Sequence, residues 1–451
     1  MQPVKETLTG CVRSDKLMQT SLQGIAKKAR ELKKHRFGNL YQLLNREALA
    51  IAWNRNNKKA AAGVDKVTTQ MFDEHLEENL NEIVKQLKEK RYRAKLVKRV
   101  NIPKGEGKTR PLGIPAIADK LVQSAAAQIL GAIYEEDFYP NSYGYRPRVG
   151  VHTAVRALSK ELILGNFGYI VEADIAGFFQ NIDHEWLIKM LEQRVDDKAF
   201  IGLIKKWLKA GVLEPDGKVI NPVTGCPQGG IISPILANIY LHYVLDLWFE
   251  KRGKPQCKGE AYLCRYADDF VCAFRYKADA EEFYWQLGER LRKFGLETAP
   301  EKTHIISFSR YRKEEKTSFD FLGFEFRWGT SHKGKDMITK WTTRKKLRDS
   351  LMKFKEWCVE NRNKRLRVLF KLLNSKLRGY YDHYGLIGNS ARLRQFYQVG
   401  MKILYKWLNR RSQMRSFNQT SFAQTLKRYG VLTPRITETS YNQIAFKFNL
   451  V

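Results

Sequence analysis

The stretch YLCRYADDFVCAF, residues 262–274, sets two adjacent carboxylates, Asp268 and Asp269, between short runs rich in aromatic and aliphatic residues. Such runs on either side of Ala267-Asp268-Asp269 predict a β-hairpin with acids at its tip. An Asp-Asp pair in a turn is commonly turn chemistry alone, and it takes on a catalytic meaning only with a distant carboxylate partner. GYIVEADIAGFFQNID, residues 168–183, offers one, because its apolar run ends at Asp174 just before Gly177-Phe178-Phe179. A carboxylate at the end of a buried strand is costly unless it is paired or holds a metal. If that strand lies beside the hairpin, Asp174 and Asp268 can together hold two Mg²⁺ ions about 3.5–4 Å apart, the spacing used for in-line phosphoryl transfer. Oxygen ligands suit this hard cation, and few protein ligands suffice because substrate phosphates and water complete its shell. Strand side chains alternate between faces, so Asp268 is the expected ligand and Asp269 supports it.

The elements that must position these acids are legible in outline. Residues 60–330 alternate helical patterns with short apolar runs such as YLCRY and FVCAFRY, the texture of an α+β domain. From 341 onward the period is helical: 351–360, 367–387 and 393–411 each space apolar residues three or four apart among basic ones. Residues 21–50 read as helices separated near Phe37-Gly38-Asn39, with a basic run over Lys27–Arg36 that also suits a plain solvated face. A boundary is expected in the polar stretch GTSHKGKD, 329–336. No tandem repeat or low-complexity tract is present.

Taken in order, Asp174 with Phe179, GCPQGGIISPILANIY (225–240), RYADDF, Lys302 and FLGFEF (321–326) resemble the palm motifs of reverse transcriptases. The group II intron-encoded reverse transcriptase/maturase family is the one resembled. IPKGEGKTRPLGIPAIADKLVQ (102–123) and SYGYRPRVGVHTAV (142–155) are similar to that family's fingers and insertion, and the helical tail resembles its thumb, or domain X. The similarity runs over roughly 50–415. It implies a right-hand polymerase with fingers, a palm built on an antiparallel sheet plus helices, and an all-helical thumb. The expected divisions are a basic helical N-terminal extension at 1–50, fingers at 51–165, palm at 166–335, thumb at 336–415 and a basic tail at 416–451.

The resemblance also implies roles for single residues. Asp174, Asp268 and Asp269 are the catalytic acids, and Asp174, Ile175 and Asp268 are the metal ligands. Lys104 and Arg110 flank Gly105 and Gly107, so a flexible loop can bring two cations onto a triphosphate, though an ordinary basic hairpin would look the same. Phe179 resembles the family's steric gate, a ring under the sugar that excludes a 2′-hydroxyl; a core phenylalanine is the alternative, since Phe178 adjoins it. Pro227-Gln228-Gly229-Gly230 before a predicted helix lets backbone and amide approach the template–nucleotide pair. Lys302 resembles the lysine that protonates departing pyrophosphate. Arg146, Pro227 and Gly229, with Arg378, Tyr380, Tyr381, Arg410 and Arg411 of the aromatic and basic tail, are the expected RNA or template contacts, although core packing explains many of the tail aromatics equally well. The element AAGVDKVT (61–68) departs from the family pattern, because Lys66 stands where a second glycine is usual and a different loop conformation is expected. No Cys-pair and His-rich endonuclease motif follows the thumb-like segment, so DNA cleavage by this chain is not expected and any insertion into DNA would use existing nicks or nascent strands.

Charge points the same way as the motifs. The chain carries 80 Lys and Arg against 47 Asp and Glu, a net +33, and residues 341–451 alone hold 24 against 5. That excess calls for a polyanion, gripped chiefly by the C-terminal quarter. The longest apolar stretch, 231–249, is interrupted by Pro234, Asn238, His242 and Asp246, which excludes a good bilayer span. Six cysteines without a C-x-x-C pair suggest neither zinc nor a disulfide framework. The first forty residues lack an uninterrupted apolar core and carry Glu6, Asp15 and Glu31, so a cytoplasmic location, bacterial cytosol or nucleoid, is expected.

The sequence thus points to an RNA-dependent DNA polymerase using two Mg²⁺ ions, with Mn²⁺ tolerated, that binds an RNA template, a primer strand, RNA/DNA heteroduplex and deoxynucleotides. It is also expected to bind its host intron RNA and to assist splicing and retromobility. The competing readings are an RNA-binding splicing factor with a vestigial polymerase site, a related enzyme recruited to host defence or CRISPR spacer capture, and an RNA-dependent RNA polymerase, which the Phe179 gate disfavours.

Overall fold

The computed structural model describes residues 21–105, 108–315, 317–331, 334–411, 414 and 416–438. The first twenty residues of the expected extension and the tail beyond 438 lie outside these. Eleven strands are found among the described residues: β1 (Val97–Gly105), β2 (Lys108–Ile114), β3 (Tyr169–Ala173), β4 (Val212–Leu213), β5 (Val219–Ile220), β6 (Ala261–Tyr266), β7 (Asp269–Phe274), β8 (His304–Ser307), β9 (Ser318–Phe321), β10 (Phe324–Thr330) and β11 (Asp336–Thr342). With the many helices between and after them, this is the expected α+β texture. The chain divides into two compact units, residues 1–147, 173–256 and 282–303 in the first, and 148–172, 257–281 and 304–451 in the second.

The first unit is built around the helix Ile117–Tyr134, whose Leu121, Val122, Ala125, Ala126, Ile129, Leu130 and Ile133 are all solvent-inaccessible. A helix buried over most of its surface is a central helix, and each such Leu or Ile contributes roughly 1.5–3 kcal/mol by leaving water. The helix Arg46–Arg55 packs on it, started by Asn45, whose side chain accepts from the Ala48 N–H. Beside them a sheet of order β2-β1-β4-β5 pairs β1 with β2 antiparallel, Ile102 opposite Arg110, and β1 with β4 in parallel.

The N-terminal segment is fastened by one buried side chain. Arg194, 3% exposed, donates to the carbonyls of Ala29 (3.0 Å), in the last turn of the helical residues 21–31, and of Leu32 (2.9 Å), Lys33 (2.5 Å) and His35 (3.1 Å), in the link beyond it. Its Nε forms an ion pair at 2.9 Å with Asp137. A single guanidinium fork thus fastens both the helix end and the chain that leaves it. The expected break near Phe37–Asn39 is an extended link, with Phe37 bridged to Val195 and Asn39 at φ 56°. Lys66 adopts φ 58°, in the left-handed region that favours glycine. Its neighbour Gly63 packs so closely that an added Cβ would stand 2.6 Å from Ala116 Cα, and the loop is held from that side.

The apolar stretch 231–249 forms the helix Ser233–Leu241 and runs on through π-helical turns at His242–Asp246 and Phe249–Gly253. Asn238, His242 and Asp246, which interrupt it in sequence, are buried. No helix among the described residues is long and apolar enough to cross a membrane.

The second unit contains the sheet β6-β7-β3-β8 and the antiparallel sheet β9-β10-β11. The polar stretch 329–336 closes the β10–β11 hairpin. The C-terminal helices Arg344–Asn361, Leu366–Tyr384 and Ser390–Leu408 match the helical periods within a few residues. Leu369, Phe370, Leu373, Leu377, Tyr381 and Tyr384 form the buried stripe of the middle helix. The fully buried Asn389 accepts from the Thr342 N–H at 2.9 Å and donates to Thr342 Oγ1 and the Tyr384 carbonyl, both at 2.8 Å, joining β11 to the helices.

Candidate active site

In the β6–β7 hairpin Tyr266 pairs with Asp269, leaving Ala267 and Asp268 as the two-residue turn. Such a turn calls for positive φ, and Ala267 supplies it at 57°, a cost of roughly 1–2 kcal/mol for a residue with a Cβ. The fully buried Arg265 donates from Nη1 to the Ala267 carbonyl at 3.0 Å and so helps to fix the turn. Leu263, Cys264, Phe270, Val271, Cys272 and Phe274 are all buried, so the hairpin body is locked while Asp268 is half-buried and Asp269 exposed. This is the acid-tipped hairpin that the sequence predicts.

The sheet order puts β3 beside β7, and the Gly168 N–H donates to the Phe274 carbonyl at the opposite end from the turn, so the two strands run antiparallel. The last residue of β3 within this unit, Glu172, therefore lies alongside Asp269. Burial pushes the Glu172 carboxyl up to about 7, with Asp320 and Asp269 adding to the shift. Asp174 follows two residues later.

Asp174 belongs to the first unit, where its carbonyl accepts from the Ala299 N–H at 2.8 Å and its carboxylate pairs with the Lys302 ammonium. Ile175, buried, bridges to Thr298. Gly177, at φ 54°, starts the turn of helix Phe178–Asn181. Phe179 is 9% exposed and has two ring neighbours, Phe178 with centroids 5.4 Å apart and Tyr145 at 6.4 Å, both edge-on.

The loop Cys226–Gly230 is stitched to its surroundings. Its Cys226 N–H donates to the Phe179 carbonyl (2.7 Å), and the Gly113 N–H on β2 donates to the Gln228 carbonyl (2.6 Å). Ser233 Oγ donates to the Pro227 carbonyl (2.9 Å), and Gln123 Oε1 accepts from the Ile231 N–H (3.0 Å). Gly229 sits at φ 109°, with no room for a Cβ against the Gly113 carbonyl. Within the first unit, then, Asp174 with Lys302, Phe179 and the Pro227–Gly229 loop are linked to one another or to β2. Arg110 is exposed on β2; Lys104 lies near the end of β1, with its side chain outside the described residues.

Four of the residues expected at nucleic acid have partners within the protein. Arg146 is spent within the protein: its side chain, 14% exposed, pairs with Glu135 at 2.9 Å and donates to the Tyr139 and Ser142 carbonyls. Tyr381 is fully buried in the helix stripe, and Tyr380 stacks on Phe396 with centroids 3.6 Å apart. Arg411 donates to the Arg362 and Lys364 carbonyls at the end of a neighbouring helix. Arg378 and Arg410 remain exposed, Arg410 over the Trp407 ring. Sequence reasoning missed Gln123, Ser233 and Arg265. Gln123 carried a signal, a polar side chain on an otherwise apolar helix face.

The protein-family model described as reverse transcriptase (RNA-dependent DNA polymerase) matches residues 102–326. The group II intron-encoded protein LtrA of Lactococcus lactis subsp. cremoris is 30% identical over 461 residues, covering 83% of this chain and 75% of LtrA. Protein YkfC of Escherichia coli (strain K12) is 36% identical over 239 residues, 46% of this chain and 62% of that protein. A putative COX1/OXI3 intron 1 protein of Saccharomyces cerevisiae is 27% identical over 434 residues, 79% of this chain and 51% of its own length.

Proposed function

Because the chain belongs to the group II intron-encoded reverse transcriptase/maturase family and is an RNA-directed DNA polymerase, we propose that it copies RNA with deoxynucleotides at Asp174, Asp268 and Asp269 and assists its own intron in splicing and retromobility. The observation that carries the reading is the acid-bearing turn Ala267-Asp268 on a buried hairpin whose neighbouring strand β3 runs directly into Asp174.

No group of three or more metal-ligating side chains occurs among the described residues. Two carboxylates with the Ile175 carbonyl suit a hard cation that shares its shell with substrate phosphates, so Mg²⁺ fits the donor set and Mn²⁺ has the same preference for oxygen. Asp174, the Ile175 carbonyl and Asp268 would hold Mg²⁺, which would supply positive charge against the triphosphate and the attacking 3′-oxygen.

The chain's own residues do the rest. Lys104 and Arg110 hold the triphosphate by charge. Phe179 lies under the sugar and excludes a 2′-hydroxyl. Gln228, carried by a loop whose carbonyls are fixed from β2 and from Ser233, approaches the template–nucleotide pair, with Pro227 and Gly229 shaping its approach. Lys302, which pairs with Asp174, gives its proton to departing pyrophosphate in this reading. The exposed Arg378 and Arg410, in a C-terminal quarter of strong positive charge, grip heteroduplex and intron RNA.

Primer extension on an RNA template with deoxynucleotides and Mg²⁺ tests this, comparing the native chain with Asp268→Ala and offering ribonucleotides in parallel. Extension that is specific for deoxynucleotides and lost in Asp268→Ala is expected. Undiminished synthesis by the variant would overturn the assignment of the acids.

A further inference from the structure

We propose that Tyr145 is a specificity-determining residue of the nucleotide site, bracing Phe179 edge-on and so setting how closely that ring approaches the 2′ position of the incoming sugar. The inference rests on the reading of Phe179 as the sugar gate.

Tyr145 is a non-glycine residue in the left-handed region, φ 57°, and its side chain is 52% exposed. A large aromatic residue held in a disfavoured backbone conformation without being buried is not there for core packing. Two sets of bonds impose the conformation. On one side of Tyr145, Asn238, 1% exposed, donates to the Gly144 carbonyl at 2.7 Å. On the other, Arg146 donates to the Tyr139 and Ser142 carbonyls at 2.9 and 2.7 Å and pairs with Glu135. What this scaffolding delivers is a ring whose plane meets that of Phe179 at 78°, with centroids 6.4 Å apart.

Phe179 is thereby bounded by two rings, Tyr145 and Phe178, and Phe178 lies in turn at 6.5 Å from the buried Tyr240. Phe178 is anchored in the core, so the freedom left to the Phe179 ring is decided by Tyr145. A phenylalanine that can swing would tolerate a 2′-hydroxyl; one held between two rings would not. Tyr145 thus acts on sugar choice through Phe179, and Asn238 and Arg146 act through Tyr145 as positioning residues.

The test is steady-state incorporation by the full chain of a single deoxynucleotide and of the matching ribonucleotide, read as the ratio of the two kcat/KM values. Tyr145→Ala is expected to lower that preference about 2- to 12-fold, the range that an edge-on aromatic pair supports, chiefly by lowering KM for the ribonucleotide. Tyr145→Phe keeps the ring and should keep the native ratio. Phe179→Ala should remove most of the preference, and Tyr145→Ala should then add nothing. A native ratio in Tyr145→Ala, with the preference lost in Phe179→Ala, would overturn the inference and leave the gate standing. A native ratio in Phe179→Ala would overturn the gate reading itself. Additive losses in the double variant would show that the two rings act separately and would also overturn the inference.

Discussion

Gly229→Ala should damage both folding and nucleotide addition, by amounts set by the seam between the Cys226–Gly230 loop and β2. Gly229 lies at φ 109°, and a Cβ added there would stand 2.5 Å from the carbonyl oxygen of Gly113. Backbone strain of this kind costs about 1–3 kcal/mol. Relieving the clash means drawing the loop away from β2, which breaks the 2.6 Å bond from Gly113 to the Gln228 carbonyl and costs about 0.5–1.5 kcal/mol more. Denaturant unfolding should therefore show a loss of about 2–4 kcal/mol. The retreat also carries the Gln228 side chain with it, and a displacement of order 1 Å at a reacting pair costs about 100-fold in rate. Gly217→Ala is the control: it has φ 88° at the tip of the β4–β5 turn and nothing within 4 Å of the new Cβ, so it bears the strain without the clash. It should lose stability and keep kcat/KM. If the two variants lose stability alike and both retain the native kcat/KM, the seam does not position the loop and the reasoning fails.

Three further outcomes are expected. Arg194→Ala leaves Asp137, whose side chain is 12% exposed, without its cation and strips the carbonyls at the end of residues 21–31 and in the link beyond; stability should fall by about 3–5 kcal/mol with faster amide exchange there, and unchanged exchange would refute the clamp. Glu172 titrates near 7 in the folded chain against an ordinary 4.5, so the fold holds an extra proton between those values and stability declines as pH rises through that window. After allowance for solvent screening this decline is about 1–2 kcal/mol, and Glu172→Gln should flatten it in EDTA; a slope that survives the substitution rules the assignment out. Affinity for single-stranded RNA should fall with salt at a slope of about −0.7 per phosphate contact, and a flat response would contradict the polyanion argument.

The parts of the site that the sequence displayed are those in which residue type and local period agree. The β6–β7 hairpin was visible because apolar runs flank a two-residue turn, and the C-terminal helices because their apolar spacing holds over five turns. What a side chain faces was not visible. Arg146, Tyr381 and Arg411 have the residue types of nucleic-acid contacts, yet two guanidiniums are consumed by carbonyls and the phenol lies in the core. Lys66 shows a further limit: its left-handed backbone, φ 58°, is not marked by its residue type. Arg194 was equally hidden, because its partners lie some 160 residues away in sequence and no local pattern marks them.

The interleaving of the two units along the chain has a consequence for synthesis on the ribosome. The first unit lacks its last strip, 282–303, until residue 303 has emerged, whereas the second draws on 148–172 and 257–281 and waits for everything from 304 onward. At about 5–20 residues per second, the remaining stretch to residue 438 takes roughly 7–27 s. β8 follows residue 303 at once, so for most of that interval the sheet β6-β7-β3-β8 exists without the C-terminal helices. The acid-tipped hairpin is thus made early and finished late, and a ribosome that stalls between 303 and the last helix leaves one unit whole and the other without part of its helical layer.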